Sequence, residues 1–227
     1  MFNLFRKKNN QKDLPDCWKE YLSHFDMKSN LRIPISEAKF VVLDVESNGL
    51  DPQKDKILSI GAVTFSDNQI DVSNSFELFL EQSEFSSEAV LIHGILKNGN
   101  LEKISEQEAM KKLVRYIDNT IIVGHSITFD IAIINETLKK YVDDKLQNKY
   151  LDTVNLYKRL KGGDYKDSNP TSLDILSDEF NIPKSDRHNA AGDAMITAIL
   201  FLKIVSRLKQ RGVNTLEDLF KVKRTLI

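Results

Sequence analysis

Apolar residues run unbroken over residues 40–43, then alternate with acids as Asp44, Val45 and Glu46, and stop at Ser47-Asn48-Gly49. A β-branched apolar run of this kind predicts a strand over residues 39–45, buried on both faces and ended by turn formers. The next apolar stretch predicts a second strand over residues 56–65, in which Gly61 marks a close approach of other chain atoms. After the turn signal Asp67-Asn68, alternation over residues 70–80 predicts a third. Short turns between the three make an antiparallel meander. The period then changes. A short helix is predicted over residues 86–92. Residues 105–117 carry Ala109, Met110, Leu113, Val114 and Ile117 at helical spacing, behind a capping box of Ser105 and Glu108. Residues 120–123 read as a buried strand and residues 130–141 as an apolar helix. Residues 150–154 read as a short strand that runs into a helix through residue 159. Residues 161–171, with Gly162, Gly163 and Pro170, read as a loop. Helices follow over residues 172–180, 190–208 and 216–220, the long one closed by Gly212. Three strands, then helices alternating with single strands, predict an α/β fold: a mixed sheet with helices on its faces.

Upstream of the first strand the pattern is different. Residues 1–12 are polar and basic, and Trp18, Tyr21, Leu22 and Phe25 recur at helical spacing behind Leu14-Pro15-Asp16. The plain reading is a leader helix packed on the outside of the domain; the sharper one is a docking segment for a partner. Composition narrows the classes further. The 227 residues suit one ordinary domain, and the net charge of -1 carries no global basic signature, so a nucleic-acid partner would be held by local patches or metal ions. The single cysteine, Cys17, excludes an internal disulfide. No apolar run approaches the ~18 residues of a membrane span, and no apolar core follows the basic N-terminus as in a secretory signal. A cytoplasmic protein with no membrane association is the expectation.

The first strand raises the chemical question. Side chains at i and i+2 share one face, so Asp44 and Glu46 point the same way, one pleat apart. Two like charges side by side in a buried strand are costly unless a cation offsets them. That is a metal-site hypothesis from one strand. Two later stretches also put acids at element ends. Asp130 opens an apolar helix after Gly124-His125-Ser126-Ile127-Thr128-Phe129, where an acid is ordinarily a cap favoured by the helix dipole. His188 precedes the longest helix and Asp193 lies about one turn inside it. A lone loop histidine is ordinarily solvated, and a first-turn acid is common. Lys158, Arg159 and Lys161 form a basic patch that could track a nucleic-acid strand, whereas Lys203, Arg207, Lys209 and Arg211 read as a solvated helix face.

Taken together, the order and spacing of Asp44, Glu46, Asp130, His188 and Asp193 resemble the DEDDh (DnaQ-like) family of 3′–5′ exonucleases, which includes the proofreading epsilon subunit of bacterial DNA polymerase III. The first motif, Asp-x-Glu-Thr-x-Gly-Leu, stands as Asp44-Val45-Glu46-Ser47-Asn48-Gly49-Leu50. The second, His-Asn-x-x-Phe-Asp, stands as His125-Ser126-Ile127-Thr128-Phe129-Asp130. The third, His-x-Ala-x-x-Asp-Ala, is intact as His188-Asn189-Ala190-Ala191-Gly192-Asp193-Ala194. Ile92-His93-Gly94-Ile95, Glu88 and Leu151-Asp152-Thr153 match further family positions. Ser47, Ser126 and Leu96 depart from the usual residues, and none of them is among the five acid and histidine positions. The resemblance covers roughly residues 38–205.

The resemblance implies a ribonuclease H-like mixed five-stranded sheet, antiparallel meander plus parallel strands, flanked by helices. It implies an exonuclease domain over residues 38–210; outside it the residue pattern leaves a basic segment and leader helix over residues 1–37 and a C-terminal short helix over residues 211–227. It implies two Mg²⁺ ions about 3.5–4 Å apart, replaceable by Mn²⁺, with Asp44, Glu46, Asp130 and Asp193 as ligands and Asp44 bridging. His188 would be the general base, since imidazole as a class titrates near neutrality. Ser47, Asn48, Gly49, Leu50, Glu88, His93, His125 and Phe129 would bind the terminal nucleotide. The implied activity is release of nucleoside 5′-monophosphates from a single-stranded or frayed 3′ end of DNA, in replication proofreading or repair, with a DNA polymerase subunit as a further partner. The alternatives are trimming of RNA or short oligonucleotides, and a binding module that has lost catalysis.

Overall fold

The computed structural model describes residues 14–25, 30–82, 101–166 and 168–221. The helix predicted over residues 86–92, with Glu88 and His93, lies outside the described residues. Six strands form one mixed sheet: β1 (Lys39–Ser47), β2 (Ile57–Ser66), β3 (Gln69–Leu80), β4 (Lys103–Ile104), β5 (Ile121–Gly124) and β6 (Tyr150–Asp152), in the order β4-β3-β2-β1-β5-β6. The pairs β1–β2 and β2–β3 are antiparallel, as the meander predicts, while β1–β5, β5–β6 and β3–β4 are parallel. The five-stranded expectation gains one member. β4 holds two residues, Lys103 and Ile104, too short to leave an alternation in the sequence. The seven helices among the described residues are α1 (Asp16–Ser23), α2 (Glu106–Ile117), α3 (Thr128–Val142), α4 (Thr153–Lys161), α5 (Leu173–Glu179), α6 (Ala190–Lys209) and α7 (Leu216–Phe220).

The period-two alternation of β1 sorts its residues between two cores. Phe40 and Val42 face α6 together with Val63, Phe65 and Phe201, and the rings of Phe40, Phe65 and Phe201 meet at centroid distances of 5.1–5.7 Å. Val41, Leu43 and Val45 face the opposite way, against Leu113, Ile133 and Ile134 of α2 and α3. Asp44 and Glu46 continue the phase of Phe40 and Val42, so they lie on the α6 side of the sheet. β5 pairs with β1 only as far as Val42, whereas β2 follows β1 through Asp44 and Glu46. The acidic end of β1 therefore runs past its parallel neighbour, at the carboxyl end of the parallel strands, where α/β sheets leave an open crevice.

Helix α1 does not sit loosely outside. Trp18 and Tyr21 are buried in the α2–α3 core, and the Tyr21 hydroxyl donates to Asn148 Oδ1 at 2.5 Å and accepts from the Gln147 N–H at 2.8 Å. Its aromatic face is occupied by its own domain. The two flanks also close on each other: the N–H groups of Leu216 and Glu217 donate to the carbonyls of Ile33 and Leu31, and that of Ile35 to Asn214. Leu216 and Leu219 of α7 join the α6-side core. Among the described residues, no helix is long and apolar enough to cross a membrane.

Candidate active site

Two glycines let α6 approach β2, beside Asp44, and the loop before it. Asp44 pairs across the sheet with Gly61, and a Cβ at Gly61 would run into the backbone of Ala190 and Ala191, at the start of α6. A Cβ at Gly192 would meet the Asp186 carbonyl of the preceding loop. Only glycine lets strand, helix start and loop come this close. Asn189 caps α6, its Oδ1 accepting the N–H groups of Ala191 and Gly192 at 3.0 and 3.1 Å. The first-turn acid Asp193 is thus not needed as a cap. It is buried, and one oxygen each of Asp44, Glu46 and Asp193 lie within 4.8 Å of one another.

Asp130 comes to the same place by another route. It lies buried in the first turn of α3, and its Oδ1 accepts the Val45 N–H of β1 at 3.0 Å. It stands beside Asp44 and Glu46 but outside the three-oxygen group. Burial above all pushes the Asp130 carboxyl up to about 8, with the charges of Glu46 and Asp152 adding to the shift. Burial, then the charges of Asp130, Asp193 and Glu46, raises the Asp44 carboxyl well above the carboxylate range. Burial and Asp193 raise Glu46. These acids cannot all ionise comfortably without a cation. Asp193 Oδ1 is also buried with no hydrogen-bond partner. Converging oxygen ligands, raised carboxyls and an orphaned oxygen fit a hard divalent cation such as Mg²⁺ or Mn²⁺.

The cation that the structure does supply is Arg187, which the motif reading passed over. Its Nε and Nη2 donate to Asp174 Oδ1 and Oδ2 at 2.8 and 3.1 Å, and its Nη1 donates to Asp193 Oδ2. On either side of it, Asp186 and His188 adopt left-handed backbone at φ 62° and 63°, uncommon for residues with a Cβ. His188 is exposed, and near enough to Glu46 to act on its charge. The only sequence signal for Arg187 was a lone cation directly before the histidine of an acid-rich motif.

The loop after β1 is fastened from within. Ser47 Oγ donates to the Gly49 carbonyl at 2.6 Å, the Asn48 N–H donates to the Lys56 carbonyl at 3.1 Å, and Asn48 Oδ1 accepts the Lys56 N–H at 2.7 Å. Gly49 leaves no room for a Cβ beside the Asp55 carboxylate. At the loop's tip Leu50 is 88% exposed, while Phe129 is half-buried against the α2–α3 core. His125 Nδ1 meets Thr153 Oγ1 at 2.9 Å, its Nε2 is buried, and burial lowers its pKa. The three basic residues of the expected patch are tied into the fold. Arg159 donates to the Asp218 and Leu219 carbonyls, Lys161 pairs with Glu179 at 2.9 Å, and Lys158 lies over the Tyr165 ring. Their charges hold α4, α5 and α7 together, a use that depends on tertiary neighbours invisible in sequence.

A sequence pattern described as Exonuclease, of RNase T type, matches residues 41–201. The chain is 34% identical over 190 residues to a DNA polymerase III of PolC type from Thermotoga petrophila, and 29% identical over 187 residues to that of Caldanaerobacter subterraneus. These alignments cover 83% and 82% of this chain but 13% of either polymerase, so the chain spans about an eighth of those relatives. Escherichia coli ExoI in its zinc-bound complex with ssDNA superposes with a TM-score of 0.64 at 18% identity, over 77% of this chain and 42% of that one. Exonuclease X in complex with 5′ overhanging duplex DNA gives 0.56 at 21%, over 74% of this chain and 91% of that one. These two likenesses concern the fold.

Proposed function

The chain belongs to the exonuclease family whose pattern spans residues 41–201, and from that premise we propose that it is a metal-dependent 3′–5′ exonuclease of the DEDDh type, releasing nucleoside 5′-monophosphates from DNA. The observation that carries the reading is the convergence of Asp44, Glu46 and Asp193 with a buried, unpartnered Asp193 oxygen. Asp44, Glu46, Asp193 and, once the substrate phosphate is present, Asp130 hold two Mg²⁺ or Mn²⁺ ions. Bound there, the ions supply Lewis-acid stabilisation of charge on the phosphoryl oxygens and the leaving group. His188, on its exposed loop, takes the proton from the attacking water. The fastened loop of residues 47–50 holds the terminal nucleotide, with Leu50 as the wedge against its base. His125 lies beside the terminal nucleotide and contacts the neighbouring phosphate. DNA is the preferred substrate, and proofreading or repair the setting, on the likeness to PolC-type polymerases; a DNA polymerase is the corresponding partner. A catalytically silent binding module is disfavoured, because an unused cluster of buried carboxylates only destabilises the fold.

The test is digestion of a 3′-labelled single-stranded oligonucleotide with Mg²⁺ or Mn²⁺. Label is expected to appear as a 5′-mononucleotide, and no release with either metal overturns the proposal. His188→Ala is expected to slow hydrolysis by about 10²–10⁴-fold, the usual worth of a general base, while leaving Mn²⁺ uptake intact. A normal rate in that variant removes His188 from its role.

A further inference from the structure

Arg187 has no assigned part in this chemistry, yet its guanidinium touches a proposed metal ligand. Its side chain is 17% exposed and divides its donors between two carboxylates on different elements. Two nitrogens fork onto Asp174 at the start of α5, and the third occupies Asp193 Oδ2, leaving only Oδ1 of Asp193 unpartnered. A guanidinium suits this because its donors are fixed in one plane, whereas an ammonium is a single point charge. The same strut pins the loop that carries His188. Asp186 and His188 flank it in left-handed backbone, and Gly192 seats the Asp186 carbonyl against α6.

We infer that Arg187 is a positioning residue and resident counter-cation: it takes one oxygen of Asp193 out of play, so that a divalent ion is offered the other alone, and it ties the His188 loop to α5. The inference rests on the metal-site reading given above. It makes metal affinity and turnover move in opposite directions. Removing the guanidinium leaves the cluster with one more uncompensated negative charge, which strengthens the attraction for a divalent cation. The same change frees Asp193 to turn and the loop to wander, and turnover suffers from misplacement.

The experiment uses the full chain, calorimetric titration with Mn²⁺ in the absence of DNA, and steady-state hydrolysis of single-stranded DNA. Arg187→Gln is expected to bind Mn²⁺ about 5- to 10-fold more tightly while kcat falls about 10- to 100-fold. Arg187→Lys keeps the charge and loses the fork, so Mn²⁺ affinity stays near that of the parent while kcat still falls. Asp174→Asn leaves the Asp193 contact in place and loosens the loop, so kcat falls about 3- to 10-fold at unchanged affinity. A purely structural role lowers affinity and kcat together in Arg187→Gln, and that result overturns the inference, as does an unchanged kcat. Should Arg187→Gln fail to fold, the Lys and Asn variants decide the matter by the same split. A parent protein that takes up no Mn²⁺ defeats the metal-site reading itself. A parent that binds it, beside an Arg187→Gln variant with the parent's affinity and kcat, defeats only the role of Arg187.

Discussion

The starts of α3 and α6 are near twins in sequence and opposites in use. Each opens an apolar helix after a loop that bears a histidine, and each has a buried aspartate in its first turn. At α3, residue Ile127 offers no side-chain cap, and Asp130 spends an oxygen on the backbone N–H of Val45. At α6, Asn189 satisfies the free N–H groups, and Asp193 is released to face Asp44 and Glu46 across the cleft. The difference teaches that two first-turn acids alike in sequence are told apart by the groups their oxygens meet, the Val45 N–H for Asp130 and the Arg187 guanidinium for Asp193. Of the two, Asp193 joins the three-oxygen group with Asp44 and Glu46 and keeps one oxygen unpartnered, and Asp130 braces the strand that carries those two acids.

The sharpest way to break that contrast is to neutralise each acid in turn. Asp193→Asn is expected to lower kcat by at least about 10³-fold and to remove Mn²⁺ binding in the absence of DNA, because it deletes a ligand of the three-oxygen group. Asp130→Asn keeps an oxygen that can accept the Val45 N–H, so the strand stays braced. It should lower kcat by about 10²-fold or more yet leave the first Mn²⁺ bound. Calorimetry and single-turnover kinetics on both variants check this, and equal loss of Mn²⁺ binding erases the distinction between the two helix starts.

The next effect in size concerns how α6 is seated. Gly61→Ala forces the backbone of Ala190 and Ala191 off β2, and with it Asp193. Overpacking of this kind destabilises by about 1–3 kcal/mol, and a displacement near 1 Å at the site lowers kcat by about 10- to 100-fold. Gly163→Ala, at a surface position with open space around it, should leave stability within about 0.5 kcal/mol and kcat unchanged. Urea unfolding and steady-state kinetics on the pair separate seating of α6 from a general dislike of lost glycine.

Much of this was legible in the residues. Alternation along residues 40–46 puts Asp44 and Glu46 in the phase of Phe40 and Val42, and that phase turned out to be the α6 side. The close approach at Gly61 was legible too, since a glycine inside an apolar strand asks for a neighbour. What stayed hidden needs three dimensions. The Asp174–Arg187–Asp193 bridge joins residues whose own segments look like ordinary helix starts and loops. The strand of Lys103 and Ile104 spans a single period of alternation, too little to register as a pattern. The aromatic stripe of α1 cannot say whether it meets a partner or its own domain, because Trp18 and Tyr21 read alike in both cases. Arg159 and Lys161 likewise look like a nucleic-acid patch until carbonyls of α7 and Glu179 are found under them.

The smallest effect is the most direct probe of the brace itself. In the metal-free protein, Asp130 titrates at about 8 against an ordinary value of 3.8. The folded state then binds more protons than the unfolded chain between those two values, so this group's contribution is full below about pH 4 and is lost as pH rises towards 8. The raised carboxyls of Asp44 and Glu46 act in the same sense. His125 opposes them, because its lowered pKa makes the folded state release protons earlier than the unfolded one, but only below about pH 6.5. The lowered carboxyls of Asp174 and Asp218 act lower still. Between about pH 6.5 and 8 the acids of the site are therefore left alone, and stability in chelator should fall with rising pH by something on the order of 1 kcal/mol. Saturating Mg²⁺ should flatten the slope, since a bound cation favours the ionised acids. Asp130→Asn should remove part of it without metal, whereas Asp174→Asn should not. Urea midpoints at three or four pH values read all of this, and a flat or rising profile for the metal-free parent shows that Asp130 stays ionised in its brace.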